Sequence, residues 1–174
     1  MAGRMDGPRL FLVCGLPGSG KTTLAKAIEE RFGAVRFCAD EWMEALGIDL
    51  YDAQRRARIE ALQWRLAQQL LARGLKAIIE WGTWARAERD ALRLRARELG
   101  AAVELHALAV PMEALLERIE RRGMESPRIE REDLRRWAEL FEAPSQDERA
   151  LFDEAIFEFP AAEGHPGAAM RTIQ

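Results

Sequence analysis

The chain has 174 residues, with 26 Lys and Arg against 29 Asp and Glu, so its net charge of −3 advertises no polyanion partner. That length suits one domain with a real core. No apolar run approaches the ~20 residues that cross a bilayer. The short polar start, Met1 to Arg9, also lacks the apolar stretch of a signal peptide, so the sequence predicts a cytoplasmic protein without a membrane partner.

The first element is Leu10 to Cys14, a short continuous apolar run that reads as a buried strand. It feeds Gly15-Leu16-Pro17-Gly18-Ser19-Gly20-Lys21-Thr22, which satisfies the phosphate-loop pattern G-x-x-x-x-G-K-[ST] in full. In such a loop the backbone N–H groups turn inward to cradle phosphates. Lys21 can reach the β- and γ-phosphates, and the Thr22 hydroxyl can ligate Mg²⁺. Leu24 to Arg31 follows as a helix whose N-terminal dipole faces the anion. Gly15, Pro17, Gly18, Ser19, Gly20, Lys21, Thr22 and Thr23 are therefore the expected nucleotide contacts. Gly33 stops the helix, and Val35 to Cys38 makes a second short strand.

Asp40 follows that strand and precedes a short helix, Glu41 to Leu46. A carboxylate there could take the proton from an acceptor hydroxyl, or it could simply cap the helix. Ile59, Leu62, Leu66 and Leu70 repeat at helical spacing, so about Gln54 to Arg73 is one amphipathic helix. Ala77 to Glu80 is a third strand, and Glu80 at its end is a candidate ligand for Mg²⁺. The aromatic turn Trp81-Gly82-Thr83-Trp84 leads to a helix from Arg86 to Leu99, with Leu92, Ala96 and Leu99 inward. Trp42, Trp81, Trp84 and Arg86, with Asp40, make up the expected acceptor side of the cleft.

Ala102 to Val110 is a fourth strand carrying His106 as a packed residue, and Pro111 opens the next helix. That helix ends in Arg118, Arg121 and Arg122 before a loop from Gly123 to Ile129. Arg118 and Arg122 share one helix face and are the candidates for neutralising phosphoryl charge from a lid, whereas Arg121 would pair with Glu117. A last amphipathic helix carries Leu134, Trp137, Ala138 and Phe141. Ala155 to Phe159 reads as a fifth strand, and residues 161–174 as a loose tail.

Two further patterns frame these elements. From Arg55 to Lys76 six basic residues face one acid, and from Glu139 to Glu163 eight acids face one Arg. Cys14 and Cys38 follow no C-x-x-C spacing and read as buried free thiols. Alternating strands and helices give an α/β fold, a doubly wound, five-stranded, mostly parallel sheet. Ligands in such sheets bind at the carboxyl ends of the strands, which gathers the phosphate loop, Asp40 and Glu80 along one cleft.

With these residues in place, the chain resembles the P-loop kinases of the AAA_33 or zeta-toxin-like group, in particular the kinase domain of 5′-hydroxyl polynucleotide kinases. The matching stretches are GLPGSGKTTLA (15–25), ADEW (39–42), AIIEWGTWARAERDALR (77–93) and LLERIERR (115–122), within roughly residues 10 to 142. The resemblance implies a kinase domain over 1–160 with a short helical lid at about 118–130. It implies that Lys21 and Thr22 hold ATP and Mg²⁺, that Asp40 is the catalytic base, and that Arg118 and Arg122 are lid arginines. Glu80 stands where such kinases commonly have Asp. Polynucleotide kinases resemble D-D-Y-R after strand two, with the Arg gripping a substrate phosphate, whereas here Met43 takes that place. The expected function is transfer of the γ-phosphoryl of ATP to a hydroxyl of a small molecule, such as a nucleoside, a sugar or an antibiotic-like compound. A nucleic acid 5′-kinase, suggested by the basic stretch, is the first alternative, and an ATP-hydrolysing switch is the second. ATP is preferred to GTP because no N-K-x-D motif occurs.

Overall fold

β1 (Arg9–Cys14) is an inner strand of a four-stranded sheet. Its companions are β2 (Val35–Phe37), β3 (Lys76–Gly82) and β4 (Ala102–Ala107), in the order β2-β3-β1-β4, and every pairing is parallel. The computed structural model describes residues 7–123 and 129–157. The predicted tail at 161–174 and part of the lid loop lie outside the described residues.

Every residue of β1 is buried because the sheet is covered on both faces, which is why its sequence is a continuous apolar run rather than an alternation. Successive side chains point to opposite faces. Leu10 and Leu12 pack with Ala77, Ile79 and Val103 against α3 (Ala53–Ala72) and α4 (Arg86–Glu98). Phe11 and Val13 pack with Ile78 against Leu24, Ala25 and Ile28 of α1 (Lys21–Phe32). Burying each of these large side chains contributes roughly 1.5–3 kcal/mol. A third cluster joins α5 (Met112–Arg122) to α6 (Arg131–Leu140) through Leu115, Leu116, Ile119 and Leu134, with Leu16 of the phosphate loop against it. α2 (Ala39–Ala45) and the short α7 (Gln146–Arg149) complete the described helices.

The doubly wound architecture is as expected, and the sheet has four strands where the sequence suggested five. At the expected fifth strand, 155–157 are not in a strand and 158–159 lie outside the described residues. Past α7, Asp153 hydrogen-bonds to the edge of β4. Its N–H donates to Val103 O at 2.8 Å, and its carboxylate accepts the Val103 N–H at 2.7 Å. A side chain thus takes the hydrogen bond that a strand carbonyl would have accepted.

The inward face of α3 also differs from the expected one. Ile59, Gln63, Ala67 and Leu71 are buried, whereas Leu62 and Leu66 are exposed. Gln63 is fully buried because both ends of its amide are used. It donates to Cys38 O at 3.1 Å and accepts the Trp81 indole N–H at 2.6 Å. On α4 the buried residues are Arg89, Leu92 and Ala96. Arg89 is fully buried and makes five contacts for its five donors: both oxygens of Glu148 and the carbonyls of Thr83, Trp84 and Glu142. This full satisfaction lets a guanidinium sit in the interior, and it pins the acidic C-terminal stretch beside the turn after β3.

Candidate active site

The phosphate loop joins β1 to α1 as its sequence requires. Gly20 caps α1 with φ +97°, a conformation that favours glycine, and the helix begins at Lys21. At Gly18 (φ +79°) an added Cβ would come within 3.0 Å of Ile119 and 3.2 Å of the Leu115 carbonyl. That glycine therefore lets α5 lie directly on the loop. The Lys21 ammonium donates to Leu16 O at 3.1 Å. Burial pushes its pKa down, opposed first by Glu80 and then by Asp40.

Glu80 is the fifth of the seven residues of β3, and its side chain is 2% exposed, so it is not a solvated strand end. The Thr22 hydroxyl donates to its Oε1. Arg36 Nη1 donates to its Oε2 at 2.9 Å. Two hard oxygen donors side by side, one of them anionic, suit Mg²⁺. Among the described residues no group of three or more His, Cys, Asp or Glu could hold a metal. A Mg²⁺ at Thr22 and Glu80 would therefore draw its remaining ligands from phosphate oxygens and water.

The sequence singles out no role for Arg36, a cation in the middle of an apolar strand. Besides Glu80 it holds Glu41 at 2.7 and 2.9 Å and Glu29 at 3.3 Å. Burial alone would lower its pKa, but Glu41 and Glu80 hold it above the ordinary guanidinium value. Cys14 and Cys38 are free thiols whose pKa values burial raises to about 11, so they are chemically quiet.

Asp40 lies inside the first turn of α2, whose N-cap is Cys38, so the alternative reading of Asp40 as the cap is corrected. Its side chain is 58% exposed and forms an ion pair with Arg56, Nη2 to Oδ1 at 2.6 Å. Arg56 itself is steadied by Leu50 O at 3.0 Å, and its Nη1 is 4.0 Å from Glu60. Burial pushes the Glu60 carboxyl up to about 7, against the pull of Arg56 and with the help of Glu88 and Asp40. Between its ordinary value and about 7, folded Glu60 holds a proton that the unfolded chain has released, so stability falls as pH rises through that window. Glu60→Gln is expected to flatten the dependence of Tm on pH there and to raise Tm above about pH 7. Parallel curves for parent and variant would show that Glu60 is not the cause.

Trp42 and Trp81 pack on one apolar cluster with Ala39, Met43 and Ile59. Trp84 instead lies against Trp137 of α6, with ring centroids 6.3 Å apart. Met43 is completely buried, so position 43 presents nothing to the cleft. Arg86 pairs with Asp90 at 3.5 Å, and its backbone N–H donates to Glu142 at 2.8 Å.

Arg118 reaches back from α5 to the phosphate loop, its Nη1 lying 3.5 Å from Gly18 O and 3.4 Å from Ser19 O. Arg122 is in the last turn of the same helix. The expected pairing of Glu117 with Arg121 is not among the ion pairs of the described residues. The pair that joins α6 to α5 is instead Arg131 with Glu113, at 2.6 and 2.8 Å. Arg118→Ala is expected to lower the rate by about 10²-fold, the usual effect of one lost transition-state charge contact, with little change in ATP affinity. Equal losses in rate and ATP affinity would make Arg118 a ground-state contact only.

The fold has counterparts among solved structures. A crystal structure of a gluconokinase from Sinorhizobium meliloti 1021 superposes with a TM-score of 0.57 at 25% identity, covering 84% of this chain and 81% of that one. A sugar kinase from Janibacter sp. HTCC2649 gives 0.58 at 25% identity, covering 81% and 82%. The Pnkp1/Rnl/Hen1 RNA repair complex contains a chain matching with a TM-score of 0.69 at 20% identity. The match covers 87% of this chain and 48% of that one, about half its length. No curated protein matches the chain. The family model AAA_33, described as an AAA domain, matches residues 10–144, most of the chain. With its phosphate loop on a parallel sheet and kinases among its structural neighbours, the chain belongs to the AAA_33 family.

Proposed function

We propose that the protein transfers the γ-phosphoryl group of ATP to a hydroxyl of a small-molecule acceptor, with Asp40 as the base and Mg²⁺ at Thr22 and Glu80. The observation that carries this reading is the placement of Asp40. Its carboxylate is 58% exposed in the first turn of α2, just past the carboxyl end of β2, the same edge of the parallel sheet at which the phosphate loop and Lys21 follow β1. A hydroxyl arriving at Asp40 would have a base beside it to accept its proton as its oxygen bonds to the γ-phosphorus and ADP leaves. Trp42 and Trp81 offer the apolar wall, and Arg118 the cation over the loop. The buried Met43 favours an acceptor without a phosphate of its own, and the gluconokinase and sugar kinase among the neighbours point the same way.

Incubation with ATP·Mg²⁺ and a panel of sugars, nucleosides and aminoglycosides tests this, reading phosphorylated product by mass. Product from at least one neutral or cationic acceptor is expected. Hydrolysis of ATP unchanged by any of them would overturn it. A polynucleotide 5′-hydroxyl is the second reading, motivated by Arg55, Arg58, Arg65 and Arg73, which lie exposed along or at the end of α3. Activity on oligonucleotides that collapses steeply with salt would favour it.

A further inference from the structure

The nucleotide site contains a cation that no phosphate-loop pattern specifies. Arg36 is the middle residue of β2 and pairs in register with Ile78 of β3. Glu80 lies two residues beyond Ile78, so it projects from the same face of the sheet as Arg36. The guanidinium sits among three carboxylates from three different elements: Glu29 of α1, Glu41 of α2 and Glu80 of β3. Its side chain is 10% exposed, and that of Glu80 is 2% exposed. Burying this charge is tolerable only because its donors are matched, and a lysine with one compact ammonium could not span the same three partners.

The two oxygens of Glu80 are divided between Thr22 and Arg36. We propose that Arg36 is a positioning residue of the nucleotide site. It holds the second oxygen of Glu80 so that the first stays beside Thr22, and it ties that acid through Glu41 to the helix carrying Asp40. The inference rests on the phosphotransfer reading above and assigns Arg36 no contact with substrate. Without Arg36, nothing would hold the second oxygen of Glu80, and the carboxylate would turn away from Thr22. That turn removes it from the Mg²⁺ side and leaves Lys21 where it is. Because Glu41 is next to Asp40, the same loss loosens the acceptor side of the cleft.

The test measures ATP binding by calorimetry, first with EDTA and then across a Mg²⁺ titration, for the parent, Arg36→Met, Arg36→Lys, Glu80→Gln and the Arg36→Met/Glu80→Gln pair. Losing an outer partner of a metal ligand typically weakens metal affinity by about 10- to 100-fold. Arg36→Met is expected to raise the Mg²⁺ half-saturation by about tenfold, while Mg²⁺-free ATP affinity changes by no more than about twofold. Arg36→Lys should fall between parent and Arg36→Met, and Arg36→Met should add little on the Glu80→Gln background. A merely structural arginine would shift both affinities together and would add fully to Glu80→Gln, and either result overturns the proposal. A Mg²⁺ curve unchanged by Arg36→Met overturns it as well. Should Arg36→Met fail to fold, Arg36→Lys decides by the same criteria: an unchanged Mg²⁺ curve rejects the proposal and a selective shift supports it. If the parent itself binds no ATP·Mg²⁺, the phosphotransfer reading falls first, and that outcome is distinct from the others.

Discussion

Lys21→Ala is expected to abolish nucleotide-dependent activity and nucleotide-dependent stabilisation together, while the fold persists. The side chain ends in an ammonium that donates to Leu16 O, and burial already disfavours its charge. Removing it therefore costs the apo fold little and removes the cation that faces the phosphates. ATP·Mg²⁺ at about one hundred times its dissociation constant would stabilise the parent by about 2.7 kcal/mol. For a domain of this size that is a rise in Tm of roughly 5–10 °C. The variant should show almost none of this rise at the same concentration. Equal stabilisation of parent and variant would mean that the loop from Gly15 to Thr22 does not bind the nucleotide as argued.

The legibility of this site in the sequence followed how local each feature is. The phosphate loop could be read directly because its function needs glycines, Lys21 and Thr22 at fixed spacing between a strand and a helix, and β1 and α1 appear where that spacing puts them. Asp40 and Glu80 were found from their positions along parallel strands. Glu80 proved to lie inside β3 rather than at its end, because Trp81 and Gly82 continue the strand.

What escaped was polar residues buried by partners distant in sequence. The face of α3 was misassigned because Gln63 counts as polar in any periodicity, although Cys38 and Trp81 satisfy its amide in the interior. Arg89 was passed over for the same reason, since its partner Glu148 lies 59 residues away. Arg36 is the case with most consequence. Its three carboxylates are scattered over Glu29, Glu41 and Glu80, so no sequence window contains the set that explains it.

Asp40→Asn is expected to lower phosphotransfer by roughly 10²- to 10⁴-fold, the usual contribution of a positioned general base. Asparagine keeps the size and one carbonyl acceptor, but it cannot take a proton. ATP affinity should hardly change, because the loop from Gly15 to Thr22 and the Thr22–Glu80 pair are untouched. The cost to α2 should be small: Asp40 is in the first turn but is not the cap, and a carboxylate at an exposed helix start contributes about 0.3–1 kcal/mol. The ion pair with Arg56 complicates the variant, because Arg56 loses its partner at 2.6 Å. Arg56→Gln resolves this, since it breaks the same pair and leaves the Asp40 carboxylate in place. If Asp40 is the base, Arg56→Gln retains most of the turnover that Asp40→Asn loses. If Asp40 serves only to hold Arg56, the two variants lose equally. A slow ATP-hydrolysing switch makes a third forecast, because water as acceptor gives the same basal hydrolysis with or without any hydroxyl compound. Turnover, ATP affinity and Tm measured on one preparation of each variant separate the three. Asp40→Asn activity within a few-fold of the parent would end the assignment of Asp40 as the base.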